Sequence, residues 1–488
     1  MTTILSKRGY KVIKKHHSPT KLNKARKELT VKPYSPYNSS MGFDKTKSFQ
    51  VYYENHKKLY LPKHYGIEIF GNPDIIDMSS GEDITIEFNG GMRAEQQSVV
   101  EKYMDSLKDK GGGLISLPCG AGKTVISLYI ISLIKKKTLI IVHKDFLMNQ
   151  WYDRIKQFLP NATIGKIQQN TIDIKNKDIV LAMVQSISMK EYDAEVFDDF
   201  GLAVFDECHH LGAEVFSKSL LKVNSKYMLG LSATPKRKDG LSKVFEWFIG
   251  DMVYCKKERN QDKVLVEIYK YYNESKEYSE ELYNVMKNIC TPKMINNVCD
   301  FEPRTLFILK VLIDNVKEGR DILILSDRRN HLKNIFEYVH KNNIGSIGYY
   351  VGGMKPNDLR ESQEKQIILG TFSMASEGMD IPKLNTIILS SPKSDIIQSV
   401  GRILRQKEED RKFIPKIIDI ADDFSIFKKQ GEKRKAYYKK CKYDISIIDM
   451  DGDVEKVDYI KSKRGKNTNK SSMKIDYSKM DVCMIDDD

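Results

Sequence analysis

The chain has 488 residues, 41% of them hydrophobic, with 80 Lys/Arg against 66 Asp/Glu, a formal charge of +14 and a pI near 9.1. That size supports more than one buried core, about two to four domains. No apolar run reaches membrane-spanning length, since the longest, Val125 to Ile134, holds ten residues and runs into Lys135-Lys136-Lys137. The start, MTTILSKRGYKVIKKHH, lacks the apolar core of a secretory signal, and the seven cysteines form no CxxC pair or regular framework. An intracellular protein with free thiols and no membrane association is therefore expected. The positive excess points to a polyanionic partner, nucleic acid first, with generic solubility and an AT-rich genome as the plainer sources of so many lysines.

Residues 1–48 carry ten Lys/Arg against two acids up to Asp44 and show no sustained period, which predicts a flexible basic arm. Residues 49–91 shift to Tyr, Ile and Phe between turn signals at Gly66, Gly71-Asn72-Pro73 and Asn89-Gly90-Gly91, as a small, partly β accessory domain would. From 92 to 256, strand-like runs at Gly113–Leu117, Leu139–His143, Ile179–Val184, Leu202–Phe205 and Tyr227–Leu231 alternate with helical patterns. That alternation predicts a parallel sheet flanked by helices. Residues 257–302 read as a linker or insertion holding a strand-like VLVEIYKYY and a charged helical stretch. The alternation returns over 303–424, with runs at Ile322–Leu325, Ser346–Val351, Ile367–Gly370, Thr386–Leu389 and Lys416–Ile420. Residues 425–488 read as a basic tail. The expected fold class is α/β, with two tandem parallel-sheet domains, an N-terminal accessory domain and basic flexible tails.

Leu117-Pro118-Cys119-Gly120-Ala121-Gly122-Lys123-Thr124 joins a strand to a helix through two glycines. Such a turn aims unpaired backbone N–H groups at one spot and suits phosphate. Lys123 supplies charge to the phosphates of a nucleotide, and Thr124 a hydroxyl for Mg²⁺. Asp206-Glu207 ends the apolar strand Leu202–Phe205, where open parallel sheets place ligands. Asp206 is suited to hold Mg²⁺ and Glu207 to orient and deprotonate an attacking water. Ser232 and Thr234 end the next strand with hydroxyls able to sense that site. Arg93 and Gln96, upstream, stand at a spacing suited to adenine. Arg402 and Arg405 lie at i and i+3 after Gln398, and a guanidinium there could neutralise a departing γ-phosphate. Cys208-His209-His210 has no second ligand pair for zinc. Around Tyr437-Tyr438, the lysines interleave cations with stacking rings, as a single-strand contact does; a solvated basic helix is the alternative.

The ordered run RAEQQ, LPCGAGKT, TLIIVHKDFLMNQW, DECH, SAT, GTFSMASEGMDIP and QSVGRILR, over residues 92–406, resembles a superfamily 2 helicase of the DEAD/H-box kind. The likeness is to the branch holding the repair-factor DNA-opening helicase, phage recombination helicases and the poxvirus transcript-release helicase, on YYVGG with Arg360 and on ASEGMDIP. Where the repair-factor group has Arg-Glu-Asp, this chain has Arg237-Lys238-Asp239. The resemblance implies tandem RecA-like domains, ATP and Mg²⁺ as cofactors, and an ATP site built from Arg93, Gln96, Pro118, Cys119, Gly120, Ala121, Gly122, Lys123 and Thr124. It further implies catalysis by Lys123, Asp206, Glu207, Arg402 and Arg405, with coupling through Ser232, Thr234 and Gln398. Thr371 and Gly378 would meet the nucleic-acid backbone, and Asp380 would tie that strand to the nucleotide. The implied activity is an ATP-dependent helicase or translocase on DNA, 3′-to-5′, with transcription machinery as a partner and a viral factory in the host cytoplasm, a virion or a nucleus as its setting. An RNA helicase and a non-catalytic nucleic-acid scaffold are the rival expectations.

Overall fold

The computed structural model describes residues 2–34, 47–118, 120–207, 213–233, 239–256, 263–377, 379–406 and 408–457. It divides into two compact units, Met1–Lys257 and Glu258–Asp488.

The first unit begins with a five-stranded sheet that includes β1 (Thr3–Ser6), β2 (Gly9–Ile13), β3 (Tyr53–Glu54), β4 (Lys58–Leu61) and β5 (Ile75–Asp77), in the order β3-β4-β2-β1-β5. The helices α1 (Pro19–Glu28) and α2 (Lys63–Phe70) accompany it. Residues 2–34 thus correct the expectation of a flexible arm. The basic residues are spaced so that Tyr10, Val12, Leu22, Ala25 and Leu29 fall inside while the lysines between them face outward. Ser18 caps α1 through the Lys21 N–H, and Pro19 opens the helix.

Next come α3 (Ala94–Lys110), β6 (Gly112–Ser116), α4 (Lys123–Ile134), β7 (Thr138–Val142), α5 (Asp145–Phe158), β8 (Ile164–Gln168), β9 (Thr171–Asp173), β10 (Ile179–Met183), β11 (Leu202–Phe205), β12 (Tyr227–Ser232), α6 (Ser242–Ile249) and β13 (Met252–Cys255). They build an eight-stranded sheet in the order β9-β8-β10-β7-β11-β12-β6-β13, parallel except at the β8–β9 hairpin. All four residues of β11 are buried, as in a central strand covered on both faces. The accessory sheet docks on this unit through α2, whose Tyr65 ring meets Trp247 of α6 edge-on at 5.3 Å, and through Asn224, which donates to the Ser6 carbonyl at 2.8 Å.

The second unit contains β14 (Leu265–Tyr271), α7 (Glu302–Lys317), β15 (Ile322–Leu325), α8 (Arg329–Lys341), β16 (Ile347–Tyr350), β17 (Ile367–Gly370), β18 (Thr386–Leu389), β19 (Lys416–Asp422), α9 (Ser425–Lys440), β20 (Asp444–Ile448) and β21 (Val454–Lys456). The strand order is β16-β17-β15-β18-β19-β14-β20-β21, again eight strands, antiparallel only at β20–β21. Two expectations are corrected here. The VLVEIYKYY run placed in a linker is a strand inside this sheet, paired with both β19 and β20. Residues 425–457 of the supposed tail are folded: on α9, Phe427, Arg434 and Tyr438 are buried while Lys428, Lys429, Lys433, Lys439 and Lys440 stay exposed. Arg434 and Tyr438, within the basic, tyrosine-bearing run that was open to either a single-strand contact or a solvated helix, both bind Asp419 in the core. Residues 458–488, the rest of that expected basic tail, lie outside the described residues.

Candidate active site

Strand β6 and helix α4 meet at the glycine loop. Gly120 and Gly122 have φ of 78° and 85°, left-handed values that a Cβ disfavours, and a Cβ on Gly122 would stand 2.4 Å from the Gln96 amide nitrogen. Gly122, the N-cap of α4, also accepts from the Ile126 N–H at 2.9 Å. The first-turn N–H groups of that helix have no intrahelical acceptor and form an anion cradle. Leu117 N–H donates to the Ser232 carbonyl at 3.0 Å, tying the loop's entry to β12. The apolar Leu117, in place of a glycine, is buried against the core.

Gln96 approaches this loop directly. Its Oε1 accepts the Arg93 N–H at 3.0 Å, closing a capping box at the start of α3, and its Nε2 donates to the Ala121 carbonyl at 3.3 Å. The side chain expected to read adenine is thus joined to the phosphate loop.

Strand β11 delivers the acids. Asp206 is buried at the end of the strand, its N–H bonded to Ile141 O at 3.0 Å, and its Oδ2 accepts the Trp151 indole N–H at 2.8 Å. Burial first, and the Glu207 charge second, push the Asp206 carboxyl up to about 6, against the opposing pull of Lys123 and of the indole. Glu207 adopts φ +47°, uncommon for a non-glycine residue. Its Oε1 takes the Lys123 ammonium at 2.7 Å, and its Oε2 accepts the Ala233 N–H at 3.3 Å. Lys123, Asp206, Glu207, Ser232 and the loop therefore come together at the carboxyl ends of β6, β11 and β12. The buried Asp206 carboxylate, one strand removed from β6 and the loop that leads to Thr124, offers oxygen donors of the kind a divalent cation takes. Cys119, Cys208, His209, His210 and Thr234 lie outside the described residues.

Sequence reasoning missed Trp151 and Ala233. Trp151 closes the run TLIIVHKDFLMNQW, and its usable signal is the N–H, which a buried indole has to satisfy. Ala233 acts through its backbone, which no side-chain motif reveals.

In the second unit, Arg402 is buried and donates to the carbonyls of Ala375, Ser376 and Met379, the last at 2.9 Å. These bonds hold the segment that carries the GTFSMASEGMDIP run. Arg405 pairs with Asp380. Thr371 Oγ1 lies 3.2 Å from Ser373 Oγ, Gln398 is half-buried in the short helix Ile397–Val400, and Gly378 lies outside the described residues. Among the described residues no group of three or more His, Cys, Asp or Glu could hold a metal, and no helix is long and apolar enough to cross a membrane.

A glycine-loop nucleotide site at the strand ends of one parallel sheet, followed by a second parallel-sheet unit carrying an arginine motif, defines a two-domain motor ATPase. The model of the type III restriction enzyme res subunit matches residues 89–237, and the helicase conserved C-terminal domain matches residues 305–407. A putative ATP-dependent RNA helicase of Acanthamoeba polyphaga mimivirus is 37% identical over 453 residues, covering 91% of this chain and 86% of the relative. A putative helicase of Invertebrate iridescent virus 6 is 26% identical, covering 73% of this chain and 83% of the relative. A DNA 3′-5′ translocase of Sulfurisphaera tokodaii is 27% identical, covering 67% and 82%. In fold, the chain resembles a fragment of a putative HsdR subunit of a type I restriction enzyme from Vibrio vulnificus, with a TM-score of 0.51 at 18% identity over 76% of this chain and 71% of that one. The chain belongs to the superfamily 2 helicases, with relatives in large DNA viruses. It is an ATP-hydrolysing helicase and binds nucleic acid; the scaffold reading is set aside.

Proposed function

We propose that this helicase translocates on DNA with 3′-to-5′ polarity and draws on hydrolysis at the Lys123–Glu207–Asp206 cluster. The observation that carries the catalytic part is the 2.7 Å ion pair between Lys123 and Glu207 beside the buried Asp206. Phosphate oxygens compete with Glu207 for the same ammonium, so phosphate entry into the loop frees the carboxylate to take a proton from water. A Mg²⁺ ion held by Asp206 and Thr124 would neutralise charge on the phosphates. Gln96 links base recognition to the loop through the Ala121 carbonyl. Arg405 is our candidate for the guanidinium that meets the γ-phosphate, while Arg402 fixes the 375–379 segment that Thr371 and Gly378 flank or join. Support for a DNA track comes from the archaeal relative named as a DNA 3′-5′ translocase.

A second reading, an RNA track, is favoured by the name of the mimivirus relative. Strand displacement on 3′-tailed and 5′-tailed DNA and RNA duplexes separates them. The expected result is ATP-dependent displacement of 3′-tailed DNA, with Glu207→Gln lowering turnover by about 10²–10⁴-fold. Displacement confined to RNA, or to 5′ tails, overturns the proposed track or polarity. With viral relatives in view, we further propose a cytoplasmic viral factory as its place and transcription machinery as its partner, to be checked by co-purification with a viral RNA polymerase.

A further inference from the structure

Asp206 and Trp151 are joined across the sheet in a way that the motifs do not announce. Trp151 sits on α5 with its ring 2% exposed, packed in the core that also holds Leu147, Met148 and Ile155. Its Nε1 lies 2.8 Å from Asp206 Oδ2, and this is a hydrogen bond between two buried groups fifty-five positions apart. An indole N–H only donates and does not titrate or rotate into an acceptor, and a carboxylate has about four lone-pair sites. One oxygen is therefore fixed by a neutral donor, and the negative charge stays available. Lys123, the nearby cation, pairs with Glu207 at 2.7 Å and acts on Asp206 through its field. A charged partner on Asp206 would compete with a metal ion; the indole orients the carboxylate without cancelling it.

We propose that Trp151 is a positioning residue for Asp206: its N–H fixes the carboxylate orientation and so sets the Mg²⁺ concentration at which the site half-saturates. The proposal rests on the reading of Asp206 as the cation-holding acid. Only two tryptophans occur in the chain, and the other, Trp247, lies against Tyr65 at the accessory sheet. A Trp247→Phe background therefore makes Trp151 the sole indole reporter.

The experiment uses the full chain. In the Trp247→Phe background, Mg²⁺ is titrated with a non-hydrolysable ATP analogue while Trp151 emission is followed, and separately the Mg²⁺ dependence of ATP hydrolysis is measured for Trp151→Phe. The emission is expected to change on Mg²⁺ addition, and the change to vanish in Asp206→Asn. Trp151→Phe is expected to raise the half-saturating Mg²⁺ about 10-fold, while turnover at saturating Mg²⁺ falls far less. A purely structural role would lower turnover and melting temperature without moving the Mg²⁺ midpoint, and that result overturns the proposal. If Trp151→Phe does not fold, benzothienylalanine incorporated in place of tryptophan in the Trp247→Phe chain keeps the ring shape and removes the N–H, and the same midpoint shift is required of it. Should Asp206→Asn keep the Mg²⁺-dependent emission change with its midpoint unmoved, the fault lies with the cation-holding reading of Asp206 and not with Trp151.

Discussion

In the second unit, the buried Asp419 accepts Arg434 through Nε at 2.8 Å and Nη2 at 2.7 Å and the Tyr438 hydroxyl at 2.9 Å. Its neighbour Asp422 is treated alike, by Arg304 at 2.6 and 2.9 Å and Tyr278 at 2.8 Å. In the first unit, Asp206, also buried, accepts the Trp151 indole N–H, and its carboxyl is pushed up to about 6 by burial and by the Glu207 charge. Both acids lie in or at the end of a strand of a parallel sheet, so burial alone does not explain the difference. A carboxylate that only maintains the fold is neutralised by a bidentate guanidinium, whereas one that must receive a cation is left under-compensated.

The largest test of that contrast is Asp419→Ala, which strands the Arg434 guanidinium in the core. It should cost about 3–5 kcal/mol in urea unfolding of the full chain. A loss below about 1 kcal/mol would break the comparison, because Asp419 would then be no better matched than Asp206.

A second test concerns His331, buried beside Ser326 at 3.2 Å and pushed down to about 3 by burial and by the charge of Arg304. An unfolded histidine titrates near 6.5, so between these values the unfolded chain binds the extra proton and stability is lost as pH falls. The expected loss is about 2 kcal/mol at pH 5 relative to neutral pH. His331→Gln should flatten that part of a pH series of denaturation curves; an unchanged slope would show that the Arg304 network tolerates a third charge.

The smallest effect is expected of Asp206→Asn. A carboxyl whose folded pKa lies above its unfolded value has its most favourable contribution at low pH and loses it as pH rises through about 6. Removing the charge should therefore raise stability at neutral pH by about 1 kcal/mol while abolishing hydrolysis. A destabilised variant would mean that the carboxylate is better compensated than the indole donor suggests.

Much of the architecture was legible in the residues. Each of the ten strand runs placed in the two parallel sheets forms, because buried parallel strands read as unbroken apolar runs bounded by turns. The hairpin Ile164–Asp173 and the strand Met252–Cys255 were not anticipated, being short elements at or next to the sheet's edges and only partly buried. Composition misled at both ends. Ten basic residues before Asp44 looked like an unstructured arm, yet alternation in Gly9–Ile13 buries Tyr10 and Val12 and leaves Lys11 between them. On α9 the same average basicity hid Arg434 and Tyr438, whose partner Asp419 lies fifteen and nineteen residues away on another element.

What the sequence by itself determined is the chemistry of the first site. Glycines at positive φ, Lys123 after them and Asp206-Glu207 at a strand end are dictated locally, by backbone sterics and by the geometry of strand termini. What only the tertiary structure decided is how each charge is matched. Lys123 meets Glu207 from 84 positions away, Gln96 reaches Ala121, Arg402 turns to three carbonyls, and the Trp151 indole donates to Asp206 beside the pull of Lys123. Those pairings follow from which strands lie side by side and which helix face covers them, a non-local outcome of packing that no run of neighbouring residues contains.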